Sequence, residues 1–221
     1  MERVSEERSR RALDAALGDS VARVKAFQHH RFAATYSDLT ASARYQAATY
    51  FFLEDIYGPG DFSQRDTQFA RVVPALVRLF PGEIVETVAE LAELHGLSER
   101  LDTAMGQRLG SSTLDGSKYG DLWRSVGDPP TRFRQIDLIV SVGSALDGYT
   151  RKALLRQTLR LMRRPAQAAG LGSLQAFLER GFDTFRAMRG ATEFLDLIAT
   201  RERELAELLF GGGNIDAFGR P

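Results

Sequence analysis

The sequence predicts an all-α protein, folded as a single-domain bundle of about eight or nine helices. Apolar residues recur at spacings of three and four along most of the chain, which is the period of a helix with one buried face. Glycine, proline and short polar stretches separate these segments, and no segment keeps the alternating pattern of a strand. The 221 residues, 43% hydrophobic and 26% charged, suit one globular domain over 1–221.

Two helices are predicted at the N-terminal end. Apolar residues at helical spacing over 7–34 predict one long amphipathic helix. A second helix, over about 40–57, becomes apolar on nearly every side toward its end, so we expect that end to be buried all round. The run Gly58-Pro59-Gly60 ends this helix.

A third helix is predicted to begin at Ser63 and to run to about residue 80. Ser63 and Asp66 resemble the capping box, in which a serine and a carboxylate three residues later satisfy free backbone donors. Pro74 lies inside this helix and is expected to bend it, because proline removes one backbone hydrogen bond.

Two helices are predicted to follow. The first begins at Pro81-Gly82, and His95-Gly96 has the pattern of a C-terminal stop. Ser98 then begins the second helix.

The C-terminal half is predicted to contain the remaining helices. Residues 110–117 are the most loop-like stretch of the chain and the candidate hinge. A short helix around Trp123 follows, and Asp128-Pro129-Pro130 begins a longer one. Three more helices are predicted, over about 150–163, 172–189 and 192–210.

The composition excludes several functional classes. Without cysteine, the chain has no disulfide, iron–sulfur cluster, thiolate zinc site or catalytic thiol. The 29 basic and 29 acidic residues give zero net charge, so a nucleic-acid partner is not expected for the chain as a whole. No apolar run reaches the roughly 18 residues of a membrane span, and the charged N-terminus does not resemble a signal peptide. We therefore expect a cytoplasmic protein without a membrane partner.

Two stretches resemble an uncharacterised bacterial family of all-helical proteins. The first is FFLEDIYGPGDFSQRD, residues 51–66, with the pattern FFL-x-D-I-Y-G-P-x-D-F-x-x-R-D, and the second is GLGSLQAFLERGF, residues 170–182. The resemblance covers most of the chain. It implies a helical fold and a bacterial origin, and because the family has no known activity, it assigns no catalytic residue.

The first of these stretches is also the main candidate site. Acidic residues lie on both sides of the Gly-Pro-Gly turn, and such oxygen ligands suit Mg²⁺ or Ca²⁺, although the spacing is not that of an EF-hand. The candidate residues of this corner are Asp55, Tyr57, Gly58, Pro59, Asp61, Arg65 and Asp66. A metal site would use Asp55, Asp61 and Asp66, with His95 as a further candidate.

A structural interpretation gives each acid a local role, and we favour it. Asp66 completes the capping box, and Asp61 bonds the backbone donors of the turn. Asp55 lies at the C-terminal end of a helix, where the helix dipole disfavours negative charge, and burying it unpaired would be costly. We therefore predict that Asp55 pairs with an arginine, either Arg65 or Arg44.

Two helices carry charged stripes of opposite sign. The acidic stripe consists of Glu83, Glu86, Glu90 and Glu93, and the basic stripe consists of Lys152, Arg156, Arg160 and Arg163, with Arg151 and Arg164 beside it. The basic stripe is a candidate surface for a phosphate, nucleic acid or anionic lipid, but few aromatic residues interleave with it, which disfavours stacking on bases. Alternatively, it is a solvated face, or the stripes meet within one molecule or across a dimer. The flanking Leu155, Leu159 and Met162 are assigned to the core.

The three histidines leave little room for a metal site. His95 lies on an apolar face in the last turn of its predicted helix, so we favour a packed or capping role over that of an axial haem ligand. His29 and His30 are adjacent and do not easily chelate one metal. No histidine follows a glutamate by three residues, which disfavours a di-iron bundle.

The sequence thus favours a non-enzymatic binding or interaction module without a cofactor, whose partner is another protein or a second copy of the chain in a homodimer. No nucleophile elbow, Walker loop or dinucleotide fingerprint occurs. Two alternatives remain open: a protein dependent on a divalent metal or cofactor bound at the acidic turn 54–66, and a protein that binds an anion or nucleic acid through 151–164.

Overall fold

A computed structural model describes residues 2–56, 63–79 and 81–215. These residues form eleven α-helices and one π-helical segment and contain no β-strand, which confirms the all-α class. The first part of the chain forms α1 (Glu2–Leu13), α2 (Ala15–Thr35), α3 (Ser37–Ala41), α4 (Gln46–Tyr50), the π-helical segment (Phe51–Ile56), α5 (Ser63–Leu79) and α6 (Gly82–Leu109). The second part forms α7 (Gly116–Val126), α8 (Pro129–Thr150), α9 (Ala153–Ala168), α10 (Gly172–Ala187) and α11 (Thr192–Phe210).

The prediction of a single helix over 7–34 is wrong, and the expected total of eight or nine helices is too low partly for this reason. Asp14 has an extended backbone between α1 and α2, with φ −129° and ψ 96°. Its carboxylate accepts a hydrogen bond from the backbone N–H of Leu17 at 3.0 Å. Because an aspartate at this position satisfies a free donor of the first turn, Asp14 begins α2 instead of continuing α1.

The predicted helix over 40–57 is also divided. Ser42 has an extended backbone after α3, and its carbonyl accepts hydrogen bonds from the backbone N–H groups of Tyr45 and Gln46 at 3.1 and 2.8 Å. This turn leads into α4, which continues as the π-helical segment. π-Helical geometry is rare and frequently occurs at functional sites.

The break predicted at His95-Gly96 is absent, because α6 continues through both residues as one helix of 28 residues. A glycine inside a helix costs only about 1 kcal/mol relative to alanine. Packing of α6 against α1, α2, α7 and α8 offsets that cost.

Two clusters of buried side chains form the core. The first joins α2, α6, α7, α8 and α11, with Phe27 stacked on Tyr119 at a ring distance of 4.7 Å. The second joins α3, α4, α10 and α11 around Phe185 and Phe194. Because α11 contributes to both clusters, it connects the two halves of the core.

Residues 110–117, the predicted hinge, contact α2. The carbonyl of Gly110 accepts a hydrogen bond from the Ser20 hydroxyl at 2.9 Å, and the carbonyl of Ser112 accepts one from Arg23 at 2.7 Å. Gly116 already belongs to α7. The segment is therefore a turn bonded to a neighbouring helix, and its role as a hinge stays a prediction.

Candidate interaction surface

The structure describes only the two ends of the acidic turn 54–66. Glu54 and Asp55 lie in the π-helical segment, and Arg65 and Asp66 lie in the first turn of α5. Nε2 of His29 is 3.5 Å from the exposed carboxylate of Glu54. The other residues of the predicted corner lie outside the described part of the chain: Tyr57, Gly58, Pro59 and Asp61.

Asp55 has an arginine partner, as predicted. Of the two arginines named from the sequence, Arg65 interacts with Asp55 electrostatically, but the ion pair is made by a third arginine. Its carboxylate forms an ion pair with Arg180 of α10. Arg65 donates to the backbone carbonyl of Asp55, and Arg44 pairs with Glu193 at 2.9 Å. The partner was not predictable because α10 is distant in the sequence. The pair joins the π-helical segment to α10 and neutralises the carboxylate at the end of its helix.

Asp66 lies in a buried ionic group that the sequence did not predict. Its carboxylate accepts a hydrogen bond from Arg8 of α1 at 2.6 Å and lies 3.0 Å from Nε2 of His95 on α6. Nε of Arg65 is 3.3 Å away. A capping box with Ser63 stays a prediction, because the Ser63 side chain is outside the described residues.

Glu99 is the second centre of this group and is only 3% exposed. Its carboxylate lies 2.6 Å from Arg11 and 3.5 Å from Arg8, both on α1, and 2.8 Å from Lys25 on α2. Asp102, one turn along α6, lies 3.7 Å from Lys25. We call these residues the ionic cluster: Arg8, Arg11, Lys25, Asp66, His95, Glu99 and Asp102. It joins α1, α2, α5 and α6.

His95 does not end a helix, so its predicted capping role is wrong. It lies in the middle of α6 with Nε2 bound to Asp66. No group of three or more histidine or acidic side chains that could hold a metal ion occurs within residues 2–56, 63–79 and 81–215. The metal alternative gains no support from Asp55 and Asp66, since both carboxylates are bound by arginine.

Acid is expected to unfold the protein through the ionic cluster. Burial alone would raise the pKa of Asp66, but the hydrogen bond and charge of His95, with Arg65 and Arg8, lower it to about 2. Burial would likewise raise the pKa of Glu99, but the charges and hydrogen bonds of Lys25 and Arg11 lower it to about 2. In the unfolded chain the two pKa values return to about 4, so the unfolded state binds more protons.

The stability that these carboxylates contribute is therefore complete above about pH 5 and is lost as the pH falls toward 2. Burial raises the pKa of Asp102, which acts in the opposite direction and offsets part of the loss. Urea unfolding at a series of pH values measures the effect, and Glu99→Gln should make the profile shallower. A midpoint that does not change between pH 5 and pH 3 would contradict the assignment.

A small cavity is too narrow for a cofactor. It lies between Phe52, Phe194 and Glu202 and has a volume of about 30 Å³. That volume accommodates one or two water molecules.

The acidic stripe is largely occupied by contacts within the molecule. Glu93 forms two hydrogen bonds with Arg134 of α8, at 2.9 and 2.7 Å, and Glu90 accepts one from α8 at 2.7 Å. Glu83 pairs with Lys152. The two stripes thus meet through Glu83 and Lys152, at one end of each.

The basic stripe is partly neutralised by α10. Arg156 lies 3.1 Å from Asp183, and Arg163 lies 2.6 Å from Glu179. These pairs attach α9 to α10. They also reduce the positive charge available for an external anion.

Two other arginines of α9 are exposed and available. Arg160 and Arg164 have no hydrogen bond or ion pair with any residue of the described ranges. Arg151, just before the helix, pairs with Asp147. Because α9 contains no acidic residue, Arg160 and Arg164 give one side of the helix a positive charge.

Apolar side chains are exposed beside these arginines. Leu154 is 73% exposed and Leu161 is 78% exposed. Met162, which the sequence assigned to the core, is 47% exposed, so that assignment is wrong. We define the outer face of α9 by four exposed residues that share one side of the helix: Leu154, Thr158, Leu161 and Pro165.

The outer face was not predicted from the sequence because α9 has apolar residues on two adjacent sides. Leu155 and Leu159 lie partly buried on the inner side, and Ala166 is buried. Leu154 and Leu161 have the same helical spacing on the other side. The presence of two apolar rows on one helix was the signal that could have revealed a second contact surface.

The fold and this surface define an all-helical protein with an exposed apolar and basic helix face. None of its helices, within the described residues, is long and apolar enough to cross a membrane. The model of a family described as a domain of unknown function, DUF8198, matches residues 7–215, and the chain belongs to this family. Searches of curated proteins and of solved structures found no significant match. Membership agrees with the resemblance to an uncharacterised family and assigns no activity.

Proposed function

We propose that the protein is a non-enzymatic interaction module and that the outer face of α9 binds an acidic amphipathic helix of a partner protein. The exposure of Leu154 and Leu161 beside Arg160 and Arg164 carries this proposal. Apolar side chains grouped on one exposed surface with a polar rim are typical of protein interaction sites.

The spacing of the outer face supports a helical partner. Its four residues follow one another at intervals of four, three and four, the spacing of the seam between two helices of a coiled coil. The 16 residues of α9 form a helix about 24 Å long. A partner helix lying along it would cover both Leu154 and Leu161. Arg164 then flanks the seam, where charges select the partner.

The charge of α9 supports an acidic partner. Glutamate or aspartate beside the seam of the partner would pair with Arg164, which has no ion pair within the described residues. Arg160 lies farther round the helix, near enough to Glu179 to lower the pKa of that carboxyl, and adds to the positive charge of α9. A second copy of α9 in this position would bring like charges together, which is costly at an interface. The outer face therefore favours a different protein over a homodimer.

Two alternative functions have less support: binding of an anion or nucleic acid through 151–164, and dependence on a metal or cofactor at the acidic turn. The ion pairs of Arg156 and Arg163 with α10 leave fewer cations for a polyanion. Asp55 and Asp66, the two candidate metal ligands of the turn that the structure describes, are already partnered by arginine. We also propose a bacterial origin, which the family resemblance supports, and a cytoplasmic location, which the absence of cysteine supports.

A designed peptide pair tests the proposal. One peptide is a helix with a leucine seam flanked by glutamate, and the other has lysine in place of each glutamate. We expect the acidic peptide to bind and the basic peptide not to bind, as measured by fluorescence anisotropy. The double variant Leu154→Ser, Leu161→Ser should weaken binding at least about tenfold, because it removes the buried apolar area.

The charge variants provide the specificity test. Arg160→Glu with Arg164→Glu should reverse the preference, so that the basic peptide binds. Leu178→Ser, at an exposed leucine of α10 outside the outer face, is the matched control and should leave binding unchanged. Equal binding by the Leu154→Ser, Leu161→Ser variant would refute the proposal. Binding of a single-stranded oligonucleotide with a steep salt dependence would instead support the nucleic-acid alternative.

A further inference from the structure

Helix α1 is attached to the rest of the molecule by ion pairs and by the side chain of Val4, which is only 2% exposed. Arg8 and Arg11 contact the buried carboxylates of Asp66 and Glu99. Leu13, the last residue of α1, is 90% exposed. A single residue, Asp14, separates α1 from α2.

The sequence on both sides of Asp14 suits a continuous helix. Apolar residues keep the helical period over 7–34, which predicts one uninterrupted helix there. Only the extended backbone of Asp14 and its hydrogen bond to Leu17 interrupt it. The broken and the straight arrangement of this segment therefore differ at one residue, Asp14, and by its one capping hydrogen bond.

We propose that α1 exchanges between two copies of this chain, forming a domain-swapped dimer in which residue 14 becomes helical. Residues 2–35 would then form one helix roughly 50 Å long. Straightening lifts α1 from its own ionic cluster and places Arg8 and Arg11 in the cluster of the second copy. Because each copy regains the contacts that it gives up, such an exchange is a low-cost route to a dimer.

The ionic cluster determines what can replace α1. Glu99 is buried, and α1 supplies two of the cations that surround it. Leaving it without those cations would be strongly unfavourable. The replacement must therefore be a helix with two basic side chains three residues apart, and α1 of a second copy has them in the right places.

Two substitutions at the junction should act in opposite directions. Asp14→Ala removes the cap of α2 and places a strong helix former at the break. We expect it to raise the dimerisation constant about 25-fold, since a dimer contains two junctions and a lost cap changes each by about fivefold. Ala15→Pro suits the first residue of α2 but not a continuous helix, where its ring would clash with the carbonyl of Arg11. We expect it to abolish the dimer.

Native mass spectrometry and light scattering of the full chain over a range of concentrations measure the fraction of dimer in each variant. A dimer that increases in Asp14→Ala and disappears in Ala15→Pro supports the exchange. An Asp14→Ala protein that is monomeric at every concentration, or an Ala15→Pro dimer as abundant as the wild type, would overturn it.

A second measurement separates this dimer from association through α9. In the Asp14→Ala background, Leu154→Ser with Leu161→Ser should leave the dimer intact, because neither leucine lies in α1 or its ionic cluster. Loss of the dimer in that variant would overturn the exchange and assign dimerisation to the outer face. If the dimer is retained, the peptide test still decides separately whether the outer face binds a partner helix.

Discussion

Replacing Gly106 with alanine is expected to lower the free energy of unfolding by about 1–3 kcal/mol, even though alanine is the better helix former. Gly106 lies inside α6 where α2 crosses it. A Cβ atom at this position would be 2.5 Å from Cγ2 of Val21 and 3.0 Å from the Val21 backbone nitrogen. A side chain can change its rotamer, but a backbone atom cannot, so the two helices have to separate.

The same substitution at the start of α6 gives a matched control. Gly82→Ala introduces a Cβ atom with no neighbour within 4 Å among the described residues. It should leave the stability unchanged or raise it by up to about 1 kcal/mol, because alanine has the higher helix propensity. Urea unfolding followed by circular dichroism compares the two variants. If both changed stability equally, close packing of α2 on α6 would not be the reason for glycine at position 106.

The fold class was predictable from the sequence because it depends on local patterns. The helical period recurs in every long segment, and capping residues such as Asp128 mark the start of α8 in both the sequence and the structure. Pro74 lies inside α5, as predicted. These features depend on residues within a few positions of each other, so a single sequence contains them.

The wrong boundaries reflect competition between local signals and packing. Asp14 is compatible with a helix interior and with a cap, and the contacts of α1 with distant residues, such as that of Arg11 with Glu99, favour the cap. Gly96 resembled a stop, but α6 is packed along its length and passes through it. In each case the deciding contact is with a residue far away in the sequence.

The candidate surface was predictable in its charge and not in its apolar part. The arginines of α9 are visible as a cluster, since no acid interrupts them. Which leucines face outward depends on how α9 rotates against α8 and α10. The partner of Asp55 was missed for a similar reason, because Arg180 approaches it only in the folded chain.

Replacing Glu99 with alanine is expected to destabilise the protein by about 3–5 kcal/mol, the usual cost of removing one partner from a buried ionic group. The Arg11 side chain is only 12% exposed and contacts Glu99 at 2.6 Å. Lys25 contacts the same carboxylate at 2.8 Å. Without Glu99, both cations remain largely buried and lose their closest anion. Chemical unfolding at neutral pH measures the loss, which Glu99→Gln should only partly reduce.

Glu83 is the appropriate control because it is another glutamate of α6, paired with Lys152 in an exposed position. Glu83→Ala should cost at most about 1 kcal/mol, since solvent screens exposed pairs. Adding Arg11→Ala to Glu99→Ala should cost less than Arg11→Ala alone, because the cation then has no anion to lose. Additive losses would mean that the two residues stabilise the protein independently. Coupled losses would mean that α1 is held by this ion pair, the contact that the proposed exchange must break and form again in the second copy.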